Sequence, residues 1–91
     1  MPYINKTDRV ALLMYTPVMR DAGSLNYAIT ALLINYVAHN GGLRYKTLND
    51  CIGALVAAKD EFTRRVVAPY VDKKIQENGD VYPPELLKGG R

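Results

Sequence analysis

The chain has 91 residues and a single cysteine, Cys51, so it fits one domain with a small core and can form neither an intramolecular disulfide nor a thiolate zinc site. A lone cysteine is typical of a reducing cytoplasm. The formal net charge of +3, from 12 Lys and Arg against 9 Asp and Glu, gives a mild preference for anionic partners. It is too small and too scattered to predict a DNA-binding face.

The first predicted helix is short and begins near the amino terminus. It runs from Thr7 to about Tyr15, with Asn5 or Thr7 as its N-cap, and it ends before Pro17 because proline disfavours helical geometry in the residue before it. The amino-terminal "MPYINKTDR" lacks the apolar core of a secretory signal. We therefore expect a cytoplasmic protein.

The second predicted helix is long and contains no charged residue. It starts after an N-cap at Asp21 or Ser24 and runs to the Gly41-Gly42 pair, which supplies a left-handed stop. The apolar stretch is too short and too interrupted by Asn and Thr to span a bilayer, so no membrane contact is expected.

The third predicted helix begins at Thr47, where Asp50 would complete an acidic variant of the capping box. It continues to Gly79 and carries a kink at Pro69, since proline cannot donate a backbone hydrogen bond to Arg65. The sequence therefore predicts an all-α fold, with a short amino-terminal helix and two long antiparallel helices.

The domain prediction follows from these elements. Residues 1–82 form a single helical domain, and residues 83–91 form an extended or disordered tail because they hold two prolines and two glycines.

Apolar stripes on the two long helices predict how they pack. One stripe on the second helix matches one on the third at helical spacing, so these should face each other. A further strip on the second helix would remain uncovered, which predicts a homo-oligomeric helical bundle with this helix at the interface. The alternative is that the amino-terminal helix covers the strip. The stripes are Leu25, Ile29, Leu32 and Tyr36; Leu48, Ile52, Leu55, Phe62, Val66 and Tyr70; and the further strip Tyr27, Ala31, Ile34 and Ala38.

Polar side chains within the apolar faces are the first candidates for ligand binding. Asn26 and Thr30 lie one turn apart on the second helix, and if buried they must bond either a neighbouring helix or a ligand. Lys59 falls within the apolar stripe of the third helix, where its ammonium must either reach solvent or meet an anion.

Two adjacent arginines near Pro69 are the second group of candidates. Arg64 and Arg65 could form ordinary intrahelical pairs with Asp60 and Glu61. Alternatively, a guanidinium binds phosphate in a cleft between subunits, with a tyrosine stacked on a base. The tyrosines considered are Tyr27, Tyr36 and Tyr70.

Signatures of an enzyme are weak. The three glutamates form no E-x-x-E or E-x-x-D pair on facing helices, which argues against a magnesium-dependent helical pyrophosphohydrolase. His39 is the only histidine and lies near a helix end, where it favours the helix dipole. We expect no catalysis, cofactor or metal.

Four segments together resemble a family of small, uncharacterised helical proteins of bacteriophages and bacteria. They are "MPYI", "GSLNYAIT" (residues 23–30), "EFTRRVVAPY" (residues 61–70) and "KKIQENGDVY" (residues 73–82). Thr63 and Val71 depart from the family pattern, which has an aromatic residue and an acid at these positions.

This resemblance implies a phage origin but no defined activity. Small helical phage proteins that oligomerise and bind cyclic nucleotides act as sponges for immune signals, and by analogy we expect a non-enzymatic antidefence sponge in the host cytoplasm. The alternative is a structural or protein-binding helical adaptor with no small-molecule ligand. The expected ligand contacts are Arg64, Arg65, Lys59, Asn26, Tyr27, Thr30 and Tyr70.

Overall fold

The computed structural model describes residues 2–89, most of which are helical and none of which forms a strand. The all-α prediction is therefore confirmed. The described residues form two compact units, which divide between Ala58 and Lys59, and this boundary falls inside the predicted single domain. The elements are α1 (Lys6–Met14), α2 (Ala22–His39), α3 (Tyr45–Phe62), a π turn (Thr63–Val67), α4 (Ala68–Asn78) and α5 (Pro84–Gly89).

The N-caps of α1 and α2 are both residues that the sequence predicted. Asn5 is the N-cap of α1, and its Oδ1 accepts a hydrogen bond from the Asp8 N–H at 2.9 Å. Asp21 is the N-cap of α2, and its Oδ1 accepts from the Ser24 N–H at 2.7 Å. This backbone hydrogen bond lowers the pKa of the Asp21 carboxyl. Asn5 and Asp21 are thus the correct members of the predicted pairs.

The turn between α2 and α3 contains the predicted glycine stop. Gly41 and Gly42 have φ angles of 104° and 78°, which only glycine adopts without strain. The Gly42 N–H donates to the Val37 carbonyl at 2.9 Å, so the end of α2 is closed by the backbone as in other left-handed helix stops.

The prediction that α3 starts at a Thr47 N-cap is wrong. The helix begins at Tyr45, and Thr47 lies in its first turn, where its Oγ1 accepts from the Arg44 N–H at 3.2 Å and donates to the Gly42 carbonyl at 2.6 Å. Thr47 therefore takes the role that Glu or Gln has in a capping box, reaching back from the third helical position. It is the most buried side chain described, at 1% exposure.

A hydrogen bond between side chains joins α2 and α3 beside this turn. The Tyr36 hydroxyl donates to Asp50 Oδ2 at 2.8 Å, and Lys46 Nζ donates to the same oxygen at 3.1 Å. Asp50 thus bonds outside its helix instead of completing the predicted capping box. The bond to Tyr36, and then that to Lys46, lowers the pKa of Asp50, while the bond to Asp50 raises the pKa of the Tyr36 hydroxyl.

The predicted pairing of apolar stripes on α2 and α3 is correct at Tyr36 but shifted at its neighbours. Cys51 is buried on α3, and its Sγ lies 4.0 Å from the Leu33 carbonyl. Leu33 on α2 is half-buried, whereas Leu32 and Ile52 from the predicted stripes are exposed. Leu33 meets Cys51 and Tyr36 meets Asp50, so the helices run in opposite directions here, but they meet along a neighbouring face.

The second unit is helical through Pro69 and beyond. The π turn precedes this proline, and the Ala68 N–H bonds the carbonyl of Thr63, five residues back. The wider helical register accommodates a residue that has no N–H to donate. The predicted end at Gly79 is confirmed: its φ is 85°, and its N–H donates to the Ile75 carbonyl at 2.8 Å.

The tail differs from the extended or disordered segment that the sequence predicts. Residues Pro84–Gly89 form the short helix α5, because proline has the right φ for the first helical position and Glu85 favours the positive end of the helix dipole. The last two residues of the predicted tail, 90 and 91, lie outside the described part.

Replacing Thr47 by Val should destabilise the protein, because the Gly42 carbonyl and the Arg44 N–H then lose their buried partner. The expected loss in the free energy of unfolding is about 1–3 kcal/mol, measured by chemical denaturation at fixed protein concentration. Thr30→Val on the exposed face of α2 is the matched control and should change it by less than about 0.5 kcal/mol. Equal effects of the two variants would contradict a special role for Thr47.

Because of the Tyr36–Asp50 bond, the stability of the protein should depend on pH in two ranges, one acidic and one alkaline. The lowered pKa of Asp50 gives stability that is present above its unfolded pKa of about 3.9 and is lost as the pH falls through the folded pKa. The raised pKa of Tyr36 gives stability that is present below about pH 10 and is lost as the pH rises through the folded pKa. The stability difference between wild type and Tyr36→Phe should therefore be largest near neutral pH and shrink at both extremes. With Tyr27→Phe as control, a difference that stays constant across pH would contradict the assignment.

Candidate functional site

The predicted ligand-binding residues fall into two groups, one in each unit. Three lie on α2 in the first unit, and four lie in the second unit on α3, the π turn and α4. The first group is Asn26, Tyr27 and Thr30, and the second is Lys59, Arg64, Arg65 and Tyr70.

The polar residues of α2 were predicted to need a bonding partner if they were buried, and the structure leaves them exposed. Both Asn26 and Thr30 are exposed, and the Thr30 hydroxyl donates to the carbonyl of Asn26 at 3.0 Å. This bond lies within the helix, so neither residue requires a partner on another helix or a ligand. Only the backbone of Asn26 takes part in this bond, so its exposed side chain is accessible to a binding partner.

Tyr27 presents most of its ring to solvent. It is 73% exposed and lines a shallow cavity of about 520 Å³ together with Pro17, Met19 and Ala31. The segment between α1 and α2 therefore lies beside part of the strip that the sequence left uncovered. An exposed aromatic ring in a shallow cavity provides a surface on which a planar group can stack.

The two arginines lie within the π turn, which we call the arginine turn (residues 63–67). Arg64 Nε donates to Glu61 Oε1 at 2.8 Å, and the Glu61 side chain is only 20% exposed. The intrahelical pairing considered for these residues is therefore present, with different partners. Arg65 is exposed, and within residues 2–89 it has no ion pair within 4.0 Å. Its guanidinium is thus available to an anion.

Lys59 reaches solvent from its apolar stripe. Its Nζ lies 3.6 Å from Asp60 Oδ1, and both side chains are well exposed. The Thr63 hydroxyl donates to the Lys59 carbonyl at 2.8 Å, so this part of the backbone is bonded to the first residue of the arginine turn. The sequence predicted that this ammonium either reaches solvent or meets an anion. In the structure it is exposed to solvent and also lies near the Asp60 carboxylate.

Tyr70 has a cationic neighbour that the sequence interpretation missed. Lys74 Nζ lies 5.5 Å from the centroid of the Tyr70 ring, a distance typical of a cation–π contact, and also donates to Glu77 Oε1 at 3.3 Å. The spacing of four residues between Tyr70 and Lys74 on one helix would have indicated this contact. A base stacking on Tyr70 must therefore use the opposite face of the ring or displace the ammonium.

A larger apolar groove in the first unit was also missed. It has a volume of about 820 Å³ and lies between α1, the following segment and α2. We call it the α1–α2 groove. It was missed because the sequence assigned the Leu25, Ile29 and Leu32 stripe to α3. Its lining residues are Leu12, Tyr15, Thr16, Pro17, Met19, Leu25, Ala28, Ile29, Ala31, Leu32 and Asn35.

The remaining candidates offer little for chemistry. His39 Nδ1 lies 2.9 Å from the Asn35 carbonyl one turn earlier in α2. Within the described residues, no group of three or more His, Cys, Asp or Glu side chains is arranged to hold a metal ion. Across the same part of the chain, no helix has both the length and the apolar character needed to cross a membrane.

The chain matches the model of a protein family. The family model described as Domain of unknown function (DUF6899) covers residues 1–81. No curated protein and no solved structure matches the chain.

Removing Arg64 should have a small, salt-dependent effect on stability. Because the pair with Glu61 is partly exposed, Arg64→Ala should lower the free energy of unfolding by no more than about 1 kcal/mol, and high salt should reduce the loss. Arg65→Ala is the matched control and should change stability less. The measurement is denaturant unfolding at low and high salt. A larger loss for Arg65→Ala would contradict this description of the arginine turn.

Proposed function

We propose a function from the residues themselves, because the chain belongs to the DUF6899 family and the description of that family states no activity. The protein is a non-enzymatic binding protein that assembles as a homo-oligomer and sequesters a phosphate-bearing small molecule, a linear or cyclic nucleotide. The observation that carries this proposal is the pair of exposed arginines within a π turn.

The arginine turn supports phosphate binding through its two guanidinium groups and through its π-helical geometry. Single π turns inside α-helices occur frequently at functional sites, and this one contains both Arg64 and Arg65. A guanidinium presents several N–H donors in a plane and pairs with two phosphate oxygens at once. Arg65 is free to do so, and Arg64 can do so by leaving or sharing Glu61. Lys59 lies one turn earlier and adds a third exposed cation.

The other predicted contacts supply recognition of the sugar and base. Exposed Tyr27 and Tyr70 each offer a ring face for stacking, and the Asn26 amide and Thr30 hydroxyl can bond sugar or base edges. The proposal places the nucleotide in a cleft between subunits of the oligomer.

The biological role follows from the resemblance to phage proteins. A non-enzymatic protein that holds a nucleotide without converting it lowers the free concentration of that molecule in proportion to the number of sites. In a phage-encoded protein, this would remove a cyclic nucleotide immune signal from the host cytoplasm. We therefore propose an antidefence sponge.

A structural or protein-binding adaptor is the second candidate. The observation that favours it is the Arg64–Glu61 ion pair at 2.8 Å, because a guanidinium already held by a mostly covered carboxylate is satisfied without a ligand. In this alternative, the cations form ordinary surface pairs and the exposed apolar side chains bind another protein.

The two candidates separate in a thermal-shift screen of the purified protein against linear and cyclic nucleotides. A nucleotide present at about 100 times its Kd adds roughly 2.7 kcal/mol to the stability of the protein, which for a chain of this size raises Tm by about 10 °C or more. The ligand should be recovered chemically unchanged. Arg64→Ala combined with Arg65→Ala should abolish the shift while leaving the oligomer intact.

The matched control removes two positive charges elsewhere. Lys6→Ala combined with Arg9→Ala on α1 lowers the net charge by the same amount and should keep the shift. If no nucleotide raises Tm, the sponge is contradicted and the adaptor is favoured. A converted nucleotide would contradict the non-enzymatic assignment. An arginine variant that dissociates the oligomer would mark the arginines as structural.

A further inference from the structure

The α1–α2 groove is an open apolar surface within the first unit. Leu12, Leu25 and Leu32 line it and are 63%, 52% and 68% exposed. Removing a leucine side chain from water stabilises a protein, so three exposed leucines in one groove represent a substantial unused contribution to stability. Contiguous apolar surface of this kind marks an interaction site in soluble proteins.

The exposed side chains of the groove indicate how large the missing contact is. Besides the three leucines, Tyr15 and Ile29 line the groove and are 86% and 38% exposed. A partner that covers all five side chains must present an extended apolar surface of its own.

The charge pattern favours a second copy of the chain as this partner. Between Asp21 and Arg44 no Asp, Glu, Lys or Arg occurs, so the α2 side of the groove is uncharged. Two identical surfaces carry identical charges, and like charges facing each other across a two-fold axis repel. A surface without charge avoids this penalty when it meets a copy of itself. It also lacks the charged groups that would select a different protein.

We propose that the α1–α2 groove is the surface by which one copy of the chain docks on another. This inference rests on the homo-oligomer of the proposed function and specifies its location. It places the interface on the Leu25, Ile29 and Leu32 side of α2, whereas the sequence predicted the strip that contains Tyr27 and Ile34. The groove is lined from both α1 and α2, so the amino-terminal helix forms part of the interface.

A pair of variants on α2 tests this location. Leu32→Glu places a charge in the groove, and Ile34→Glu places the same charge on the same helix at an equally exposed position, 64% against 68%, outside the groove-lining residues. Light scattering with size-exclusion chromatography gives the mass, and circular dichroism checks the helix content. We expect Leu32→Glu to reduce the mass toward 10.1 kDa and Ile34→Glu to keep the mass of the wild type.

The outcomes separate this inference from the proposed function. A wild-type protein that is monomeric at every concentration contradicts the homo-oligomer and, with it, this inference. An oligomer that survives Leu32→Glu, or that Ile34→Glu disrupts equally, overturns the groove assignment alone. If Leu32→Glu loses its helix content, Leu25→Ala at the groove replaces it. This variant should weaken association by at least tenfold in a dilution series, and an unchanged dissociation constant would overturn the assignment.

Discussion

The buried hydroxyl of Thr47 fixes the turn on which the first unit depends. It binds the backbone on both sides of the α2–α3 connection, accepting from Arg44 and donating to Gly42. The two glycines allow the chain to reverse, and this hydroxyl holds the reversed chain in one conformation. The Tyr36–Asp50 bond and the contact between Cys51 and Leu33 lie three and four residues further along α3. The pairing of α2 with α3 is therefore specified mainly by polar contacts near the turn and only slightly by an apolar core.

Local signals made most helix ends predictable from the sequence. Asn5, Asp21 and Gly79 each act through bonds to residues three or four positions away, so their roles depend little on the rest of the fold. The start of α3 was placed two residues late because Thr47 has the side chain of a good N-cap. In the structure Thr47 is buried, bonds the Gly42 carbonyl and is the third residue of the helix. This contact depends on how the preceding turn folds.

The helix faces and the site were harder to predict for a related reason. Apolar residues surround nearly the whole of α2, so helical spacing alone could not decide which side meets α3. The position of the turn determines that Leu33 and not Leu32 faces α3. The spacing of apolar residues along α2 contains no information about that turn. At the site, the arginine pair was identified from adjacent charges near a proline, but the π turn could not be inferred from composition. Glu61 could have been chosen as the partner of Arg64 from its spacing of three residues.

The scarcity of buried side chains has a consequence for how much of this protein a cell contains. Within residues 2–88 only Thr47 and Cys51 are buried, so an isolated chain has little folding free energy of its own. In the proposed homo-oligomer the missing stability comes from association, so the folded monomer is not stable at low concentration and transiently open chains are degraded. Steady-state abundance should then rise more steeply than the rate of synthesis. Weak expression would leave almost no protein, and strong expression would produce a long-lived pool.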